Sequence, residues 1–158
     1  MIVEQMTIIE APLDIVMQTM LAVETIPTWA TVKGFIYNVQ GRGPGMSYDW
    51  QFKVNDMNFT GHSKVIEQTT DTMITETTGD IASLWTIKLS SSGRHNTLLR
   101  AVVEYIPPQN AFVEVLADLV IQRYANPDVA HENIERFKNL VEERADLGAK
   151  QVVGSKQG

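Results

Sequence analysis

The sequence predicts an α+β fold in which a curved antiparallel sheet of about seven strands wraps around a long C-terminal helix, with two short helices after the first strand. Three observations carry this expectation. Apolar residues recur at helical spacing between Pro108 and about Lys150, a period of two dominates from Val32 to Ile106, and the strands in that stretch are joined by segments too short for anything but antiparallel neighbours. A chain of 158 residues, 44% hydrophobic and 20% charged, has the length and composition of one globular domain able to bury roughly 70% of its unfolded surface. Residues 1–147 are assigned to that domain and 148–158 to a loose tail.

Taken in order, Ile2 to Glu10 mixes β-branched and polar residues and stops at Ala11-Pro12, where proline cannot continue a ladder. Pro12 suits the first turn of a helix reaching about Met20, with Ile15, Val16, Thr19 and Met20 facing inward. Pro27 divides Ala22 to Ala30, which reads as a broken turn or a second short helix closing on Trp29. From Val32 the alternation begins, with Phe35, Tyr37 and Val39 interleaved with Ile36, Asn38 and Gln40, and then comes the loop Gly41-Arg42-Gly43-Pro44-Gly45. The clearest strand runs from Met46 to Val54, with Met46, Tyr48, Trp50, Phe52 and Val54 on one face. Asn55-Asp56 predicts a two-residue hairpin turn into Met57 to Glu67. Further strands cover Thr72 to Thr78, Ile81 to Ser90 with Ser83, Trp85, Ile87 and Leu89 on one face, and Asn96 to Ile106 with Leu99, Ala101, Val103 and Tyr105 on one face.

In the last quarter, Phe112, Val115, Leu116, Leu119 and Val120 form an apolar stripe opposite Glu114, Asp118 and Gln122. Asn126-Pro127 combines a good N-cap with a good first helical residue and predicts a kink or a restart. Beyond it Ala130, Ile134, Phe137 and Val141 form a second stripe, with Glu132, Glu135, Lys138, Glu142 and Glu143 largely opposite.

A net charge of -6 with scattered Lys and Arg argues against nucleic acid as a partner. The lack of cysteine excludes disulfides and thiolate chemistry and fits a reducing compartment. The first residues, MIVEQMTIIEAP, lack the basic and apolar regions of a signal peptide, and no apolar run approaches the roughly 20 residues that span a bilayer. The expectation is a cytoplasmic protein without membrane insertion, either monomer or homodimer.

His62, His95 and His131 have no partner at metal-ligand spacing, so no metal is expected. Ser90-Ser91-Ser92-Gly93 reads as a turn because no elbow motif frames the serines. The glycine-rich loop lacks the Lys and Ser/Thr of a P-loop and joins strand to strand, so a hairpin needing positive φ explains it better than phosphate binding. No cofactor is expected.

The order of elements resembles the START-domain and birch-pollen-allergen superfamily, the helix-grip fold, and within it the polyketide cyclase/dehydrase branch. The residues that carry the resemblance are Ile26-Pro27-Thr28-Trp29 before the second strand, the Gly41 to Gly45 hairpin, and Val102-Val103-Glu104-Tyr105 ending the last strand. It covers about residues 2 to 146. Arg94-His95-Asn96-Thr97 replaces the Gly-Gly-Thr turn of many relatives, and Asn126-Pro127 interrupts the helix. The resemblance implies a hollow fold enclosing an apolar pocket, and it carries no catalytic motif, so no catalytic residue is assigned.

On that reading the ligand-binding set is Trp29, Tyr48, Trp50, Phe59, Ser63, Glu76, Trp85, Leu99, Val103, Tyr105, Leu116, Leu119, Val120 and Arg123. The aromatic members Tyr48, Trp50, Trp85 and Tyr105 either fill a core or line a pocket, and their number favours the pocket. Arg123 either meets an acidic ligand group or snorkels outward to a surface carboxylate, with snorkelling favoured. Glu76, if it faces inward, is the best titratable pocket group, since desolvation would raise its pKa toward that of a useful general acid.

Three functions follow. The leading one is noncatalytic binding or transport of a small hydrophobic molecule such as a lipid, a polyketide or an isoprenoid-like compound. The second is an enzyme of the polyketide cyclase/dehydrase type, and the third a protein-interaction module related to chaperone- or ribosome-associated helix-grip proteins.

Overall fold

The computed structural model describes residues 1–31, 33–54, 56–106, 122 and 126–157. Strand β1 (Ile2–Ile9) ends before Pro12, and helix α1 (Leu13–Leu21), a 3-10 turn at Val23–Thr25 and the single helical turn α2 (Ile26–Trp29) follow it. Then come β2 (Lys33–Gln40), β3 (Ser47–Val54), β4 (Met57–Gln68), β5 (Thr72–Gly79), β6 (Ala82–Ser91) and β7 (Thr97–Ile106), and finally helix α3 (Pro127–Gln157). The strands form one 7-stranded sheet in the order β1-β7-β6-β5-β4-β3-β2. Every neighbouring pair is antiparallel; the short connections require this from β2 to β7, and β1 joins the sheet through a long-range pairing with β7. The expected helical stripe of Phe112, Val115, Leu116, Leu119 and Val120 lies outside the described residues.

Two irregularities help the sheet to curl. In β2 the register against β3 shifts between Tyr37 and Gln40, where Asn38 adopts φ 52. That bulge reverses the side-chain parity, so Ile36 packs inward before it and Val39 after it, while Phe35 and Tyr37 face outward. Asn38 Nδ2 donates to Asp49 Oδ2 at 2.9 Å, and His62 Nδ1 lies 2.8 Å from Asp49 Oδ1. These two contacts, Asn38 first, hold the Asp49 carboxyl below the usual carboxylate range. A second shift, between Val65 and Glu67 on β4, leaves Ile66 exposed.

The inner face carries two large aromatic rings laid flat across glycines of the neighbouring strands. Trp50 is paired in register with Gly61, Phe52 with Gly34, and the two rings stack at 5.3 Å and 19°. A Cβ at Gly61 would overlap the Trp50 ring, and one at Gly34 would overlap Phe52, so the missing side chains make room for the aromatic ones.

The interior has two unlike ends. At one, Ile9, Val16, Val65, Leu99 and Val141 are at most 2% exposed and belong to one packed cluster with Met46, Leu89 and Phe137. Thr97 closes that end by donating its buried hydroxyl to the Ala11 carbonyl at 2.8 Å. At the other end, toward Ile81, Trp85 and Tyr105, the sheet and α3 stand apart around a cavity.

Helix α3 begins as the sequence predicts. Asn126 Oδ1 accepts the Asp128 N–H at 2.9 Å, and Pro127 is the first helical residue. Ile134, Phe137 and Val141 are buried on one stripe. The helix is tied to the segments just after β1 and α2 by two hydrogen bonds, and to α2 by an aromatic contact. Glu142 Oε2 accepts the Glu10 N–H at 2.8 Å, Asn133 Oδ1 accepts the Thr31 N–H at 2.8 Å, and Phe137 meets Trp29 edge-on at 5.5 Å. The backbone is helical through Gln157, over most of the stretch that composition assigns to a loose tail. A glycine such as Gly148 is tolerated inside a helix at a cost of only about 1 kcal/mol. Among the described residues, no helix is long and apolar enough to cross a membrane.

Candidate ligand cavity

The cavity has a volume of about 280 Å³, and the described residues around it are mostly apolar. The sheet supplies its curved wall through the inward positions of each strand. Period-two alternation puts Tyr48, Trp50 and Phe52 of β3 there, Trp85 and Ile87 of β6, and Leu99, Ala101, Val103 and Tyr105 of β7. Helix α3 closes the opposite side with Ala130, Asn133, Ile134 and Phe137, and Met20, Val23, Ile26, Trp29 and Ala30 contribute from the segment between β1 and β2.

Several polar side chains of the sheet follow one line, while Gln5 and Thr75, which also line the cavity, stand off it. The register pairs Tyr48 with Ser63, Ser63 with Thr77, Thr77 with Ser83, and Ser83 with Tyr105. A row of five hydroxyls thus crosses the sheet from β3 to β7, one per strand. Within it Ser63 Oγ and Thr77 Oγ1 are 2.8 Å apart, and Trp85 Nε1 donates to Ser83 Oγ at 2.9 Å. Burial raises the pKa of the Tyr48 phenol, an effect that Ser63 beside it partly offsets. Burial pushes the Tyr105 phenol up to about 12. Both phenols therefore stay neutral, as donors and acceptors rather than as bases. The Trp50 indole stands apart from this pattern, because its buried Nε1 has no hydrogen-bond partner among the described residues. A buried donor left unpaired costs roughly 1–3 kcal/mol.

Of the residues singled out by sequence, Trp29, Tyr48, Trp50, Phe59, Trp85, Leu99, Val103 and Tyr105 meet around the cavity. Ser63 is buried beside the wall and bonds to Thr77, which does line it. Glu76 is a correction. It is exposed on the outer face, opposite Lys64 and Leu84, because Met73, Thr75 and Thr77 take the inward positions of β5 and parity turns Glu76 away. Leu116, Leu119, Val120 and Arg123 lie outside the described residues. Sequence reasoning misses Thr75 and Thr77, which share a face with Met73, and Ser83, whose place on the Trp85 face is the signal that could have found it. It also misses Asn133, since a polar residue next to an apolar stripe gives no sign that it points into a cavity. Among the described residues, no group of three His, Cys, Asp or Glu could hold a metal ion.

No protein-family model matches the chain, and no curated protein matches it by sequence. Solved structures do. A protein from Thermus thermophilus is similar at a TM-score of 0.73 and 14% identity, over 92% of this chain and 99% of that one. The Zhui aromatase/cyclase from Streptomyces sp. R1128 is similar at 0.71 and 11% identity, over 91% of this chain and 94% of that one. A START superfamily protein from Mycobacterium smegmatis is similar at 0.61 and 15% identity, over 92% and 97%. At such identities the likeness is one of fold alone. The chain has the helix-grip fold.

Proposed function

We propose that the chain binds and carries a small hydrophobic molecule inside the sheet-and-helix cavity. One observation carries this reading: a space of about 280 Å³ is left open beside a well-packed core and is bounded mainly by aliphatic and aromatic side chains. Filling such a space with apolar atoms is favourable at roughly 25 cal/mol per Å² of surface removed from water, whereas leaving it open forgoes dispersion contacts. The polar groups on the wall are neutral hydroxyls, amides and indoles, suited to orienting a guest rather than to moving its protons. Binding therefore suits these residues better than the cyclase/dehydrase reading.

The test is a titration with a homologous series of uncharged ligands. Each added methylene should gain up to about 0.8 kcal/mol until the cavity is full. Trp85→Ala and Leu99→Ala should weaken binding, and Glu76→Gln, on the outer face, should leave it unchanged. Affinity that ignores chain length and both cavity truncations would overturn the proposal, and turnover of a ligand by the pure protein would replace carriage with catalysis.

A further inference from the structure

We propose that β1 is a pairing edge whose occupant is a second copy of this chain, joined antiparallel across a two-fold axis at Gln5. β1 and β2 are the two edges of the sheet. An edge strand presents a row of unpaired N–H and C=O groups, which proteins ordinarily blunt with bulges, Lys or Pro. β2 is blunted in this way: Lys33 opens it, its register shifts between Tyr37 and Gln40, and Asn38 takes a left-handed backbone. β1 carries none of these devices. Its eight residues, IVEQMTII, pair with β7 without a register shift and include neither Lys nor Pro. On its outer face Ile2, Met6 and Ile8 are 66%, 54% and 49% exposed.

The direction of the open backbone groups sets the register. The Tyr105 N–H donates to the Met1 carbonyl at 2.9 Å, so these two residues, opposite each other in the β1 to β7 register, form a hydrogen-bonded pair. Bonded and non-bonded pairs alternate along an antiparallel ladder. Val3, Gln5 and Thr7 therefore bond to β7, and Ile2, Glu4, Met6 and Ile8 turn their backbone groups to the open side. The Glu10 N–H has the same parity, and Glu142 of α3 takes it. Among the described residues, no hydrogen bond reaches the N–H groups of the other four outside the sheet. With the axis at Gln5, Ile2 faces Ile8 of the second copy and Glu4 faces its Met6, all as hydrogen-bonded pairs, and apolar side chains meet on the outer face. Charge permits the approach. Glu4 is the one charged residue of β1, and its carboxylate lies 2.6 Å from Arg100 Nε, so two molecules of net charge -6 meet along a locally neutral strip. The arrangement consumes the open edge of both copies, so assembly stops at two.

Sedimentation equilibrium of the full chain should show a dimer that dissociates on dilution. Met6→Pro deletes an N–H on the open side and leaves the β7 ladder whole, while Met6→Glu sets a carboxylate opposite Glu4 of the second copy. Each change occurs twice per dimer and should weaken it about 10-fold or more, with thermal melting showing that the monomer still folds. If Met6→Pro does not fold, Met6→Glu decides. The chain has no cysteine of its own, which allows a test of register. An equal mixture of Ile2→Cys and Ile8→Cys proteins should oxidise to a crosslinked heterodimer, because bonded partners stand about 5.5 Å apart at Cα, within disulfide reach. Neither variant alone should crosslink. A wild-type chain that is monomeric up to its solubility limit overturns the proposal. So does a dimer that both Met6 variants leave intact, or one in which the mixture crosslinks no better than either variant alone.

Discussion

Gly61 shows how one residue without a side chain decides the position of one with a large side chain. The Trp50 ring occupies the space a Cβ would take, and the Thr78 carbonyl crowds the same point from β5. Gly61→Ala must displace the ring or the strand, and overpacking of this kind typically costs about 1–3 kcal/mol. Gly148 is the opposite case, since among the described residues no atom lies within 4 Å of where its Cβ would stand, and the residue is exposed within α3. Gly148→Ala should gain up to about 1 kcal/mol from helix propensity. Thermal melts of the two variants should therefore shift in opposite directions, and a Gly61→Ala protein as stable as wild type would show that Trp50 has room elsewhere. Composition alone marks neither glycine, because one close approach depends on strand register and the other on its absence. Facing, by contrast, is legible wherever alternation is unbroken: Tyr48, Trp50, Trp85, Val103 and Tyr105 all face the cavity as their strands predict. Glu76 is ambiguous in the sequence only because its strand, Thr72 to Thr78, is polar on both faces and offers no hydrophobic contrast to read.

At the scale of elements, turns and caps are written locally and can be read locally. Gly41, Gly43 and Gly45 have φ of 76°, 77° and 83°, as the loop between two strands demands. A Gly→Val change at any of them places a β-branched residue in left-handed backbone and should cost on the order of 1 kcal/mol. Gly43 should be the most sensitive, since its new Cβ would also stand 3.2 Å from Gln68 Oε1. None of the three lines the cavity, so denaturant midpoints should fall while ligand affinity holds. Equal midpoints for all three variants and wild type would show the loop to be conformationally undemanding. The β2 bulge is not legible in the same way. Asn38 reads as an ordinary outward strand residue, and its φ of 52 becomes understandable only once Asp49 and His62 are brought beside it by β3 and β4. Asn tolerates that backbone better than most residues, but a single Asn is too common a signal to predict a bulge.

For the molecule as a whole, the division between a packed end and a hollow end should show in its response to alkali. Tyr48 and Tyr105 stand at the two ends of the hydroxyl row, both with pKa values raised by burial. A phenol with a folded pKa above its unfolded value is held neutral by the native state, so its stabilising contribution is complete below the ordinary value near 10 and is lost as pH rises through the folded value. For Tyr105, a rise from 10.0 to about 12 corresponds to on the order of 3 kcal/mol lost across that window. Tyrosinate absorbance in wild-type protein should therefore include a late stage, from Tyr48 and Tyr105, coincident with loss of tertiary structure. Tyr105→Phe should flatten the decline of stability between pH 10 and about 12 and remove part of the late absorbance. A guest in the cavity adds to the desolvation of the same wall, so saturating ligand should delay the late stage further, whereas a ligand bound on the outer surface would leave it where it was. If Tyr48 and Tyr105 titrate near pH 10 in protein that is still folded, water already reaches the row freely, and burial does not hold these phenols neutral.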